Sequence, residues 1–301
     1  MLNGIINVYK EVGYTSFDVV AKLRGITKQK KIGHTGTLDP DATGVLTVCL
    51  GSATKLVEMM TDKDKAYVAT MILGKTTDTQ DISGEILSEC PCTSTEAEVR
   101  ETIARFVGEQ DQIPPMYSAV KVNGKKLYEL AREGKVVERK ARRITIHDIE
   151  VLEVNIPVVK IKVTCSKGTY IRTLCHDIGE ALGCGAVMSN LVRIRSGNYT
   201  IETAKTLDEI SEYAHMSRLE ELVIPVDSVF SEYAEYHAEG EMLERILNGN
   251  MFGVATLSKS ITGDKDRTKL RVYDDKGEFI ALYRLDEKAR KYVVDKMFLS
   301  N

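Results

Sequence analysis

The stretch GHTGTLDPDATGVLTVCLG, residues 33–51, joins a polar loop to a short apolar run. The loop is rich in glycine and threonine and holds Asp39 directly before Pro40. Pro40 disfavours a helical conformation at Asp39 and favours a turn, and the apolar run between glycines predicts a buried strand. Taken alone, the loop fits two structures: a tight turn in which Asp39 bonds its own backbone, or a loop that presents a carboxylate to a ligand.

Around this stretch, strand-like and helix-like patterns follow one another without a regular βαβ order. Strands are predicted over residues 44–51, 65–74, 144–154 and 158–165, and helices over 15–25, 94–108 and 170–182. The first helix is expected to begin at Thr15 or Ser16 and to end at Gly25. The helix over 94–108 is expected to bury Val107 on its apolar face. This mixture indicates an α+β fold with a mixed or antiparallel sheet and flanking helices.

A second unit is predicted at the C-terminal end of the chain. Residues 201–240 carry ten acidic and two basic side chains, and the pattern then changes to a short helix and a hairpin around Asp274–Gly277. We place a main domain over 1–237 and a small β-rich unit over 238–301. Because a unit of about 60 residues buries too little apolar surface to be stable alone, we expect it to pack on the main domain.

The composition is that of a globular protein, with 43% apolar and 28% charged residues among 301. No apolar run is long enough for a membrane span, and the N-terminus lacks the pattern of a signal peptide. Six cysteines in a chain of this length do not make a disulfide framework and favour a reducing cytoplasm. Cys90-Pro-Cys92 has no matching second pair, and phosphate-loop and dinucleotide motifs are missing, so we expect neither metal nor cofactor.

The net charge of −3 hides a strong segregation of charge. Residues 121–143 hold nine basic and three acidic side chains, a local charge of +6, whereas 201–240 has a local charge of −8. The basic run belongs to a longer segment, 112–143, that also contains Tyr117 and Tyr128. Aromatic rings stack on bases and cations meet phosphates, so this segment fits an RNA-gripping element. An exposed, solvated helical hairpin is the alternative.

A second candidate site lies in KGTYIRTLCHDIG, residues 167–179, where a strand end leads into a helix. Arg172 falls in the first turn of that helix, where the helix dipole disfavours a cation. We therefore expect an anionic partner for Arg172, such as a carboxylate that the guanidinium keeps ionised. The alternative is an ordinary surface arginine.

Five stretches together resemble the TruB-type tRNA pseudouridine synthases and occur in that family's order. They are residues 33–56, 65–84, 113–134, 167–179 and 191–199. The resemblance implies a pseudouridine-synthase-like fold with 112–143 as its inserted RNA-binding segment and 238–301 as a PUA-related RNA-binding domain. It also implies that the enzyme isomerises uridine 55 in the T-arm loop of tRNA without a cofactor, by flipping the base, and assists tRNA folding.

The resemblance assigns roles to individual residues. Asp39 matches the catalytic aspartate, supported by the arginine Arg172, the tyrosine Tyr67 that stacks on the target base and the pocket wall Leu191. The residues that the resemblance and the basic run assign to RNA binding are His34, Lys10, Lys121, Lys125, Lys126, Arg132, Arg142 and Arg143. One departure is Glu11, which stands where the family has a proline and puts the rigidity of that turn in doubt.

Three other functions remain open at this point. A guide-RNA-dependent pseudouridine synthase shares the catalytic core, although the short C-terminal part argues against it. An RNA chaperone would use the basic segment without catalysis, and an enzyme acting on a substrate other than RNA would use only the Asp39–Arg172 pair. No coiled-coil heptads occur, so we expect a monomer that needs tRNA but no obligatory protein partner.

Overall fold

The structure, a computed structural model, describes residues 1–122, 124–257, 261–262 and 265–299. Parts of two predicted regions, the inserted segment and the C-terminal unit, therefore lie outside the described residues. In chain order the strands are β1 (Gly4–Lys10), β2 (Ile32–His34), β3 (Thr43–Leu50), β4 (Lys65–Leu73), β5 (Lys75–Thr77), β6 (Ile86–Glu89), β7 (Gly108–Gln112), β8 (Lys121–Val122), β9 (Lys125–Lys126), β10 (Arg142–Asn155), β11 (Val158–Cys165), β12 (Ala186–Ser196), β13 (Tyr199–Thr200), β14 (Tyr233–His237), β15 (Phe252–Gly253), β16 (Ile261–Thr262), β17 (Asp266–Tyr273), β18 (Phe279–Asp286) and β19 (Lys291–Met297).

The helices are α1 (Ser16–Thr27), α2 (Val57–Thr61), α3 (Glu96–Ala104), α4 (Leu127–Arg132), α5 (Ile171–Ala181), α6 (Leu207–His215) and α7 (Gly240–Leu247). Thr15 caps α1, as predicted, but the predicted end at Gly25 is wrong. The helix continues for two more residues and ends where Lys28 takes a left-handed conformation. The prediction for Val107 is also wrong, because α3 ends at Ala104 and leaves Val107 45% exposed.

The main sheet has the strand order β1-β3-β12-β4-β11-β10-β7, with β2 beside β3 and β13 beside β12. β3 and β12 run parallel, and the other pairs of this sheet are antiparallel, which confirms the prediction of a mixed sheet within an α+β fold. β3 and β4 follow each other in the chain, but β12, which comes much later in the chain, lies between them in the sheet. One face packs on α3 and α5, and α1 and α6 share a second core with β1 and β3.

A six-stranded sheet with the order β15-β19-β18-β17-β14-β16 forms the C-terminal unit. It includes the hairpin that was predicted around Asp274–Gly277. A shared apolar cluster joins the two sheets, with Ile5 and Leu56 on one side and Leu282 and Phe298 on the other. The C-terminal unit therefore packs on the main sheet. Its first strand, β14, lies just before the boundary that we placed at residue 237, and the exact division into domains stays a prediction.

Candidate active site

Asp39 lies in the loop between β2 and β3, and hydrogen bonds hold the backbone of this loop on both sides of the carboxylate. The Leu38 amide donates to the Ser16 hydroxyl at 2.8 Å, and the Pro40 carbonyl accepts from the Gly13 amide at 3.0 Å. The turn itself is closed by the backbone, because the Asp39 carbonyl accepts from the amide three residues on at 3.1 Å. The carboxylate is left to point at a neighbour, with its side chain 49% exposed.

That neighbour is Arg172, in the first turn of α5. Its Nη2 lies 3.1 Å from Asp39 Oδ2, and only 10% of the arginine side chain is exposed. The guanidinium also donates to the carbonyls of Thr79 at 3.1 Å and Tyr117 at 2.8 Å. Arg172 therefore has the anionic partner that its helix position predicted. It also ties together three separate segments: the Asp39 loop, the loop after β5, and the start of the inserted segment.

Tyr67 and Leu191 lie near this pair on adjacent central strands. In the register of β4 and β12, Tyr67 is opposite Arg193, and Leu191 is opposite Ala69. Both side chains are almost fully buried, at 9% and 8% exposed. Burial raises the pKa of Tyr67, so its phenol stays protonated at neutral pH and can donate a hydrogen bond. Tyr67 and Leu191 belong to one buried apolar cluster with Leu38, which precedes Asp39, and Ile171, which precedes Arg172.

Arg193 is a site residue that the sequence reasoning did not single out. Its side chain is 2% exposed, and its guanidinium donates to three carbonyls around the Asp39 loop. A signal was present in the sequence, because Arg193 falls two residues after Leu191 and therefore on the same face of the strand. A cation on a buried strand face needs many partners.

His34 lies at the start of the Asp39 loop and is half-buried. Its Nδ1 accepts from the Gly36 amide at 3.4 Å. Burial first, and the positive charge of Arg193 second, lower the pKa of His34. The ring is therefore neutral at pH 7, and because Nδ1 accepts from Gly36, the proton is on Nε2, which can donate a hydrogen bond.

Lys10 requires a correction, because its side chain is fully buried and is not available to contact RNA. Its Nζ donates to the carbonyls of Glu11, Tyr14 and Pro40 at 2.6–3.1 Å. Burial lowers the pKa of Lys10 to about 8. The lysine thus ties the turn that contains Glu11 to the Asp39 loop, and the turn is held although the family's proline is missing.

The basic side chains of the inserted segment lie on its surface. Lys121, Lys125, Arg132, Arg142 and Arg143 are exposed, and Lys126 is half-buried. The Lys126 ammonium and the Arg132 guanidinium lie 5.3 and 5.4 Å from the centroid of the Tyr128 ring. Carboxylates partly neutralise the segment, since Lys125 pairs with Glu133 at 3.2 Å and Arg143 pairs with Glu109 at 3.0 Å.

Helix α4 anchors this segment through two buried leucines, Leu127 and Leu130. The segment is therefore a small folded element with a β8–β9 hairpin rather than a helical hairpin.

Metal ligands, thiols and membrane-spanning helices were also sought among the described residues. No group of three or more His, Cys, Asp or Glu side chains there is arranged to hold a metal ion. All six cysteines are free thiols. No helix in the described part of the chain is long and apolar enough to cross a membrane.

The fold matches chains in two solved structures of larger complexes. One is titled as an H/ACA RNP bound to a substrate RNA containing 2′-deoxyuridine, with TM-score 0.71, 27% identity and coverage of 98% of this chain and 85% of that one. Another, a Cbf5-Nop10-Gar1 complex, has TM-score 0.72 and 31% identity at the same coverage. Because a family model of pseudouridylate synthases also matches this chain, the fold is that of a pseudouridylate synthase, an isomerase.

Sequence comparison identifies the branch. The N-terminal domain model of TruB family pseudouridylate synthases matches residues 24–171, and the C-terminal domain model of tRNA pseudouridylate synthase B matches 172–231. A protein of Lachnoclostridium phytofermentans named tRNA pseudouridine synthase B is 50% identical over 99% of this chain and all of that protein. One of the same name from Clostridium acetobutylicum is 44% identical over 97% of this chain and 99% of that protein. The chain belongs to the TruB family of pseudouridylate synthases.

Proposed function

We propose that this isomerase acts on tRNA and converts uridine 55 in the T-arm loop to pseudouridine. The relatives named tRNA pseudouridine synthase B support tRNA as the substrate. The observation that carries the proposal is the ion pair of Asp39 with Arg172 at 3.1 Å. It holds a half-exposed carboxylate where a nucleotide can reach it.

The reaction needs little more than a positioned carboxylate. The bond from N1 of uracil to the ribose C1′ breaks, the base turns, and C5 bonds to C1′. N1 gains a proton and C5 loses one, so composition and oxidation state do not change and no cofactor takes part. Asp39 starts the reaction as a nucleophile or as a general base. Arg172 holds the carboxylate in position through the ion pair.

The target uridine must leave its stack to reach Asp39, which costs a few kcal/mol. We assign three side chains to that step. Tyr67 stacks on the flipped base, Leu191 forms the apolar wall of its pocket, and His34 contacts the RNA loop from which the base has left. The burial of Tyr67 and Leu191 supports a pocket of fixed shape.

Binding of the T-arm stem-loop is assigned to two regions: the inserted segment 112–143 of a catalytic domain over 1–237, and a PUA-like domain over 238–301. Lys121, Lys125, Lys126, Arg132, Arg142 and Arg143 would contact phosphates, and their exposure supports this role. We propose that the enzyme acts as a monomer without an obligatory protein or guide RNA. Its free thiols fit a reducing cytoplasm.

The test is tritium release from a T-arm stem-loop labelled at C5 of its uridines, with the purified chain alone. We expect one tritium per RNA with wild-type protein, and none when uridine 55 is replaced by cytidine. Asp39→Asn should abolish release. Asp41→Asn, which changes an exposed carboxylate in the same loop, should preserve it. Tight binding by the wild type without release would overturn the enzymatic proposal, and release by Asp39→Asn would overturn the role of Asp39.

A second activity, assistance of tRNA folding, is favoured by the exposed basic segment, which can bind RNA without catalysis. A misfolded tRNA should regain aminoacylation with Asp39→Asn protein as fast as with wild type. Loss of this effect in the variant would make folding a consequence of modification and would refute a separate chaperone role.

A further inference from the structure

Arg193 carries a charge that the proposed catalytic roles do not use. It lies in the middle of β12, only 2% exposed, and among the described residues it forms hydrogen bonds to carbonyls but no ion pair. A buried guanidinium without a carboxylate partner is costly. A methionine or leucine would fill the same space without that cost, so the hydrogen bonds of the guanidinium must fulfil a requirement that packing alone does not.

The guanidinium holds both ends of the Asp39 loop. Its Nη2 donates to the Gly36 carbonyl at 3.1 Å and its Nη1 to the Thr37 carbonyl at 3.4 Å, just before Asp39. Its Nε donates to the Val45 carbonyl at 2.7 Å, after the loop has entered β3. Because the guanidinium is planar and rigid, three carbonyls bonded to it have fixed relative positions.

The same guanidinium reaches the active-site tyrosine. Tyr67 is opposite Arg193 in the register of β4 and β12, so the two side chains are neighbours on one face of the sheet, and the positive charge of Arg193 opposes the rise in the pKa of Tyr67 that burial causes. An arginine can only donate, so a hydrogen bond between the two side chains would use the tyrosine oxygen as its acceptor. The hydroxyl proton then points away from Arg193 and is free for another acceptor.

We propose that Arg193 is a positioning residue for the isomerisation, which fixes the loop that carries Asp39 and turns the Tyr67 hydroxyl proton towards the target nucleotide. This inference rests on the proposed function of Asp39 and Tyr67. Arg193 itself does not touch the RNA. Its charge also influences the surroundings, because after burial it is the next cause that lowers the pKa of both His34 and Lys65.

The test compares two variants with one control. Arg193→Lys keeps a cation but loses the planar fork, and Arg193→Gln loses the charge but keeps a donor. The control is Arg195→Met, in the same strand, where the half-buried arginine donates to the Gly197 carbonyl. Thermal unfolding identifies which variants are folded, and single-turnover tritium release and the Kd for the T-arm stem-loop are then measured.

We expect both Arg193 variants to release tritium about 10²-fold more slowly, the loss typical of a displaced reacting group, with Kd changed less than about threefold and the Arg195 control close to wild type. Adding Tyr67→Phe to Arg193→Lys should slow release much less than the product of the two single effects, since both act through one hydroxyl.

Three results would overturn the inference: wild-type rates in a folded Arg193 variant, an equal loss in the control, or fully multiplicative effects with Tyr67→Phe. If neither Arg193 variant folds, the inference is judged on Thr37→Pro and Tyr67→Phe, which disturb the loop and the hydroxyl with Arg193 in place. Wild-type rates in both would overturn it. Absence of release by the wild type would instead refute the proposed function.

Discussion

Two groups of cations in this protein have opposite surroundings. Arg172 and Arg193 are nearly buried, Lys10 is fully buried, and all three donate to backbone carbonyls of the loops around Asp39. Lys121 and Arg142, in contrast, stand on the surface of the inserted segment. The first group orders the backbone of a site, and the second can attract a polyanion.

The net charge of the protein therefore predicts neither the buried cations that order the site nor the exposed cations that can attract a polyanion. Buried cations act at short range in a medium of low dielectric and are hardly screened by salt, whereas exposed cations act on phosphates and lose their effect as salt rises. Mutations in the first group should therefore change the rate of reaction, and those in the second should change affinity.

The largest effect after Asp39 itself is expected from Arg172→Met. It leaves the Asp39 carboxylate without its partner and also frees the carbonyls of Thr79 and Tyr117, so single-turnover tritium release should fall about 10²–10³-fold. Arg143→Met is the matched control, because this arginine also pairs with a carboxylate but is 60% exposed. Similar losses in both variants would abolish the distinction between buried and exposed cations.

Tyr67→Phe should have the next largest effect. It keeps the ring but removes the hydroxyl, so we expect release to slow about 10²-fold, the lower end of what proton transfer contributes, with unchanged affinity for the T-arm. Tyr292→Phe removes a hydroxyl that donates to the Arg267 carbonyl at 2.8 Å in the second sheet. That control should cost only about 1 kcal/mol of stability. An unchanged rate in Tyr67→Phe would leave stacking as the only role of the ring.

The exposed group is tested by replacing Lys121, Lys125 and Arg142 together with alanine. Each lost phosphate contact should reduce the slope of log affinity against log salt by roughly 0.7–0.9, while single-turnover release at saturating enzyme stays the same. Arg218→Ala in the acidic stretch, where Arg218 pairs with Glu221 at 2.7 Å, should alter neither quantity. If the salt dependence of affinity does not change in the triple variant, these three residues do not contact the phosphates of the RNA.

The smallest effect concerns Lys10 and appears in stability rather than activity. Its pKa in the folded protein is about 8, below the ordinary value of 10.5. Between these values the unfolded chain holds a proton that the folded one does not, so the free energy of unfolding rises with pH, by at most about 1.4 kcal/mol per pH unit.

Lys10→Met should flatten that rise in urea unfolding measured from pH 7.5 to 10.5. Lys65, with a pKa also lowered to about 8 by burial, contributes in the same way, and Lys65→Met is the reference for the size of the change. A pH dependence identical to wild type in the Lys10 variant would show that this lysine is not desolvated.

The sequence was informative where a residue conflicts with its local setting. Arg172 at a helix start predicts an anionic partner, and Asp39 before a proline in a glycine-rich loop is compatible with an exposed carboxylate, but the pairing of the two was implied only by the family resemblance. Lys10 and Arg193 were not placed, because a basic residue in an alternating strand is usually on the solvent face, and the one signal for Arg193 was that it shares the strand face of Leu191. The carbonyls that accept from Arg193 all lie far from it in the sequence, and one of the three that accept from Lys10, that of Pro40, does so too.

The order of strands was also beyond the sequence. Alternation predicts which face of a strand is buried, but pairing partners depend on non-local contacts. The end of α1 was also not predicted correctly. Gly25 is typical of a residue that ends a helix, but α1 ends just before Lys28, which takes a left-handed conformation.

The position of β12 between β3 and β4 has a consequence for synthesis on the ribosome. These two early strands are complete by residue 73, but the strand that joins them begins at residue 186. At about 5–20 residues per second, the nascent chain carries two unpaired strand edges for on the order of ten seconds. Such edges can pair with other chains, so the order of translation makes this interval the period of greatest aggregation risk. The same delay means that a ribosome-bound fragment that ends before Arg193 cannot form the hydrogen bonds of that arginine with the Asp39 loop.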